Sequence, residues 1–147
     1  MASGTFKWYG KGLQAFCQKL IDWEDDAGIK IALCTSSYVP DQDAHDFFDD
    51  VTNEVANGNG YTSGGQALGT KTLTYTAGTN VLKLDAADPQ WTEATFTARV
   101  AVIYLDTATP ATSPLIGYCV FDGDVSPSAG TLDITFDAGG ILKITAA

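Results

Sequence analysis

Five aspartates, Asp41, Asp43, Asp46, Asp49 and Asp50, surround the only histidine of the chain, His45. An imidazole beside carboxylates is the start of either a general-base pair or a metal site, so chemistry is sought here first. With one histidine, every Asp-His-Ser or Cys-His constellation would have to be built on His45. The neighbouring negative charges favour the charged imidazolium, which suits a surface contact better than a general base. Asp41-x-Asp43 also opens like a calcium-binding EF-hand loop. Position six, however, is Asp46 where glycine must turn the chain, and position twelve is Thr52 where a bidentate glutamate is needed. Asp122-Gly123-Asp124 and the group Asp22, Glu24, Asp25, Asp26 supply further oxygens without a ligand spacing. All three read as solvated acidic turns, and no metal or cofactor is expected.

Other signatures of chemistry are missing or incomplete. There is no Gly-x-Ser-x-Gly elbow, no His-Glu-x-x-His and no Gly-x-x-x-x-Gly-Lys. Gly58-Asn59-Gly60 begins a dinucleotide fingerprint but runs into Ser63-Gly64 without a strand before it or a helix after it. Eighteen acids make a chance carboxylate pair inevitable, so spacing says nothing about glycoside hydrolysis. Cys17, Cys34 and Cys119 match no metal spacing, and each sits in an apolar pattern, so three buried thiols acting as small hydrophobes are expected. Trp8, Tyr9, Trp23 and Trp91 suit either core packing or, if exposed, a sugar-stacking platform. No catalytic residue is assigned, and the chain reads as a non-enzyme.

These residues must be positioned by a chain of 147 residues, about one domain's length. Apolar residues make up 45% and charged residues 18%, the balance of a globular chain. The net charge of −10 disfavours nucleic-acid binding, which needs clustered Lys and Arg. No apolar run is long enough to span a membrane, and the start lacks the pattern of a secretory signal. Synthesis in a cytoplasm is therefore expected.

The periodicity predicts one N-terminal amphipathic helix over about 9–23, with Leu13, Phe16, Cys17, Leu20, Ile21 and Trp23 on its apolar side. A strand follows at 29–34. A short acidic helix is expected over about 41–51, capped by Asp41 or Asp43 and carrying His45, Phe47, Phe48 and Val51. Residues 57–65 are too glycine-rich for an element and read as a surface loop. Strands then recur at 71–76, 80–85, 95–105, 115–121, 130–136 and 140–145, separated by Gly, Pro and Asn turns. Short strands at this spacing predict a mainly β, single-domain antiparallel sandwich or barrel.

The stretches Gly12–Phe16, Ile21–Trp23 and Ile29–Val51, together with Asn53–Val55, Gly60–Gly65, Trp91–Tyr104 and Pro110–Tyr118, resemble small virion proteins of tailed bacteriophages. The similarity extends from about residue 9 to 145. It implies a structural component of the particle and brings no catalytic residues with it. The expectation that follows is a head decoration (cement) protein, made in the host bacterial cytoplasm and carried on the capsid exterior. It would bind the outside of the major capsid protein shell, with a homotrimer as its own assembly and no contact with nucleic acid or membrane. An acidic chain suits the outside of a DNA-filled shell better than the inside. Residues 1–8 are then expected to form an arm leading into a domain over 9–147. Phe6, Trp8 and Tyr9 would serve as apolar anchors, and Asp41, Asp43, His45, Asp46 and Tyr61 as further contact residues on the two loops. A neck or tail component is the structural alternative, and a lectin-like glycan-binding module the alternative from another class.

Overall fold

In a computed structural model, which describes residues 2–147, the chain is mainly β, with several antiparallel sheets and one α-helix. The organising element is β7 (Ala98–Leu105), whose sequence Ala-Arg-Val-Ala-Val-Ile-Tyr-Leu is rich in the β-branched and aromatic side chains that fit a pleated surface. It pairs on one side with β2 (Ile29–Cys34), six residues in continuous register from Ile29↔Leu105 to Cys34↔Val100. On the other side lies β8 (Leu115–Val125), whose register slips twice along the ladder. Two short strands, β1 (Lys7–Trp8) and β3 (Gln66–Ala67), complete a five-stranded sheet of order β1-β8-β7-β2-β3. A second sheet holds β4 (Thr72–Thr76), β5 (Val81–Asp85) and β10 (Leu142–Thr145), and a third pairs β6 (Gln90–Ala94) with β9 (Gly130–Asp133).

The central sheet is buried on both faces, which is why β2 and β7 read as nearly continuous apolar runs. One face carries Ile29, Ile31, Leu33, Ala101, Ile103, Ile116 and Phe121 and packs with Leu84, Leu142, Trp91 and Leu132 from the two smaller sheets. The opposite face carries Ala32, Cys34, Val100, Val102 and Tyr104 and is closed by Tyr9, Tyr38, Phe48 and Val51. The acidic excursion at 36–51 is therefore a lid over a second core.

Two expected helices are corrected. Of the span 9–23 only α1 (Gly10–Cys17) is helical. Lys19 enters the left-handed region (φ 62°), its N–H bonds Phe16 O, and Leu20 N–H reaches back to Ala15 O at 3.0 Å. This paired closure is the Schellman stop, here with lysine where glycine is usual. Ile21 and Trp23 are buried as expected, but from an irregular segment, and Leu20 is exposed. The helix seats on β8 through Gly12, where an added Cβ would fall 2.6 Å from Leu115 O. The 41–51 helix is likewise replaced by a single turn after Asp41 and a 3-10 turn at Phe48–Asp50. Phe48 stacks on Tyr104 instead of joining a helical stripe. The cysteines also depart from expectation: Cys34 and Cys119 are buried, whereas Cys17 closes the helix on its solvent side.

Of the arm expected over residues 1–8, residue 1 lies outside the described residues, and residues 2–8 lie along β8 and the C-terminal segment. Ala2 N–H bonds Asp133 O, Ser3 O accepts Asp122 N–H, and Lys7 and Trp8 pair with Tyr118 and Gly117. Gly4 is needed for this fit, since a Cβ would strike Cys119 Sγ.

Candidate functional site

The histidine segment is built from a tight turn upward. Asp41 Oδ1 accepts the backbone N–H groups of Asp43 and Ala44, at 3.0 and 2.9 Å, and those two bonds hold its carboxyl below the usual aspartate range. The turn swings His45 back so that its Nδ1 receives Asp41 N–H at 3.2 Å. A backbone N–H only donates, so Nδ1 is the acceptor in this contact. Tyr38 Oη lies 3.0 Å from the same nitrogen and 2.8 Å from Tyr9 Oη, and the Tyr38 ring stacks on the imidazole. Burial raises both phenols, Tyr38 to about 12, so they are neutral hydrogen-bonding groups at ordinary pH. The chain Tyr9–Tyr38–His45–Asp41 thus satisfies the polar atoms of the lid and seals the second core.

A second hydrogen-bonded group supports the other edge of the sheet. Tyr61 is buried with its hydroxyl 3.0 Å from Leu33 N–H and 2.7 Å from Glu54 Oε1, and Glu54 also accepts Gly64 N–H. Beyond the two-residue strand β3, this hydroxyl takes the place of a paired strand for Leu33 N–H. Tyr104 Oη donates to Gly64 O and anchors the same loop. At Gly65 (φ +77°) an added Cβ would fall on Ile31 O, so glycine is required there.

Of the residues expected to meet a partner, Tyr9 and Tyr61 are corrected: both are buried in their own domain and offer it no surface. Phe6 and Trp8 are half-buried, Phe6 edge-on against Phe136 and Trp8 against Phe16, with the Trp8 indole N–H on Lys143 O. Asp41 and Asp43 are exposed, His45 and Asp46 half-buried. Trp23 and Trp91 are buried too, so neither offers a sugar a stacking face.

A cleft of about 320 Å³ lies between residues 2–8 and 134–143, walled by Phe6, Phe121, Ile134, Phe136 and Leu142. Cys119 lines it, but burial pushes its thiol up to about 11, the reverse of what a thiolate nucleophile requires. Among the described residues no three His, Cys, Asp or Glu side chains converge as metal ligands. The acidic groups singled out from sequence have local duties: Asp22 and Asp26 bond the backbone of their own turn, Asp122 takes the Ser3 hydroxyl and Asp124 pairs with Arg99.

What sequence reasoning missed is on the surface. Leu73, Tyr75 and Ile144 are exposed apolar side chains on the three-stranded sheet, and the signal was the apolar alternation of Leu73 and Tyr75 in a strand with no second layer to cover it. No helix of the described residues is long and apolar enough to cross a membrane. Comparison with protein-family models, curated proteins and solved structures finds no match for the chain.

Proposed function

We propose that the chain is a structural protein of a tailed-phage virion, a decoration protein that binds the outside of the major capsid protein shell and stabilises it. The observation that carries this reading is where the polar chemistry has gone. The sole imidazole, the buried tyrosines and Glu54 are bonded to the backbone or to one another around two closed cores, while apolar side chains stand exposed on one outer sheet. That is the arrangement of a protein that works by contact. The resemblance of residues 9–145 to phage virion proteins supports that setting, and the net charge of −10 suits the outer face of a DNA-filled shell. Its mechanism is linkage: a ligand that binds only the assembled shell stabilises that state by mass action, summed over many sites.

Quantitative mass spectrometry of purified virions tests the reading. One chain per capsid subunit, or a fixed simple fraction of that, is the expected ratio. A complement matching a single ring would move the protein to the neck or tail, and its absence from virions would end the proposal.

A further inference from the structure

The registers of β4, β5 and β10 set Leu73, Leu84 and Leu142 in one row and Tyr75, Leu82 and Ile144 in the next, on one face of the sheet. The first row runs into the core, where Leu84 and Leu142 are buried. The second runs out of it: Tyr75 is 53% exposed and Ile144 39%, beside Leu73 at 42%. The other face carries Thr74, Lys83 and Lys143 in the corresponding row. An apolar strip continuous with the core therefore stands in water. Tyr75 is also held ready, its hydroxyl bonded to Asn80 Oδ1 at 3.1 Å, so less freedom is lost when it is covered.

The frame of this strip decides its occupant. At the free edge of β4, Glu24 Oε1 accepts Leu73 N–H at 3.1 Å, and Trp23 Nε1 donates to Asp85 O, so the turn with exposed Asp22, Glu24 and Asp25 borders the sheet. The lysines do not offset this. Lys71 reaches back to Leu68 O, and Lys83 pairs with Asp85 on the other face. A second copy would bring these carboxylates against their equivalents. The strip also exposes only on the order of a few hundred Å², below the ~800 Å² per partner of a stable dimer. Strand addition is opposed as well, because Glu24 occupies an edge N–H that an added strand would need.

We propose that the exposed end of the apolar face of β4–β5–β10, where Leu73, Tyr75 and Ile144 continue beyond the core, docks a different protein whose surface is apolar at its centre and rimmed by Lys and Arg. This rests on the decoration reading, under which that surface belongs to the assembled capsid shell. The probe is shells assembled from the major capsid protein of the phage encoding the chain, depleted of it, in a co-sedimentation assay. Tyr75→Thr/Ile144→Thr changes only exposed strand positions, and its melting curve checks that it folds. Glu24→Gln/Asp25→Asn removes charge, while the amide oxygen of the introduced glutamine still accepts Leu73 N–H. The expected result is wild-type binding, a loss of about tenfold or more in the first variant, and weaker binding with a flatter salt dependence in the second. Undiminished binding of a folded Tyr75→Thr/Ile144→Thr overturns this surface and leaves the decoration reading standing. Failure of the wild type to bind shells overturns that reading and this inference with it. A wild-type dimer in sedimentation that the same double variant dissolves makes a second copy the occupant and refutes the proposal.

Discussion

Replacing Tyr61 by phenylalanine removes one oxygen and keeps the ring against Trp91 and Phe96. The hydroxyl is buried and holds two groups at once: it accepts Leu33 N–H at 3.0 Å and donates to Glu54 Oε1 at 2.7 Å. Orphaning a buried backbone N–H costs about 1–3 kcal/mol. The lost bond to the carboxylate adds about 1.5 kcal/mol, at the low end of its class, because half-buried Glu54 keeps Gly64 N–H and some access to water. The sum is roughly 3 kcal/mol, which for a domain of this size lowers Tm by ~6–12 °C. Tyr9→Phe is the control: its hydroxyl meets only Tyr38 Oη, which still has His45 Nδ1 to turn to, and the cost is about 1 kcal/mol. Calorimetry gives the two melting temperatures, and amide exchange at Leu33 reports the orphaned N–H directly, with faster exchange expected in Tyr61→Phe. If Tyr61→Phe melts no lower than Tyr9→Phe and Leu33 exchange is unchanged, the hydroxyl is not standing in for a strand and the account of this sheet edge is refuted.

Other tests are simpler. A thiol reagent at about pH 8 labels Cys17 in the folded protein, while Cys34 and Cys119, buried and pushed up to about 12 and about 11, react only with denaturant present; rapid labelling of either contradicts the packing. Lys19→Gly relieves a left-handed lysine and raises stability by about 0.5–1 kcal/mol, read as a higher urea midpoint with unchanged slope. Asp106 accepts from Lys30 Nζ at 2.6 Å and from Ala108 N–H, which holds its carboxyl below the usual range, so its contribution is present above the unfolded aspartate value and is lost on acidification. The stability gap between wild type and Asp106→Asn is therefore constant near neutrality, shrinks below about pH 4 and vanishes under Asp106's own lower value. A gap that persists in acid refutes the ion pair as its source.

Much of the strand framework was legible because burial on two faces writes itself into composition. Ile29–Cys34 appears where its apolar run predicts it, and β4, β5, β7, β8, β9 and β10 fall within or beside their expected spans. β6 was missed because Gln90-Trp91-Thr92-Glu93-Ala94 has a bulge with Glu93 at φ 51°, which breaks the period of two. The helix ran on too far because its stop is carried by backbone conformation at Lys19, and lysine is a good helix former. The acidic excursion misled for a related reason: Asp41 does cap a turn, but Phe48 gains more by stacking on Tyr104 than a short helix could return. Tyr9 was placed on the surface as an apolar anchor of the arm and Tyr61 by its glycine-rich loop, whereas their hydroxyls serve partners far away in sequence that no local pattern reveals.

The strap formed by residues 2–8 also ties together parts of the fold that are far apart in sequence. Its main-chain partners are distant in sequence: Lys7 and Trp8 pair with Tyr118 and Gly117, Ser3 O accepts Asp122 N–H and Ala2 N–H bonds Asp133 O, while Phe6 meets Phe136 and the Trp8 indole donates to Lys143 O. The outer edge of β8 is thus closed by long-range pairing, and β10 likewise reaches Leu84 from a distant part of the chain. Removal of residues 2–8 bares the outer edge of β8 at Gly117 and Tyr118 and uncovers Phe136. A copy whose strap has come away is thereby marked for proteases by the very edge that the strap covers.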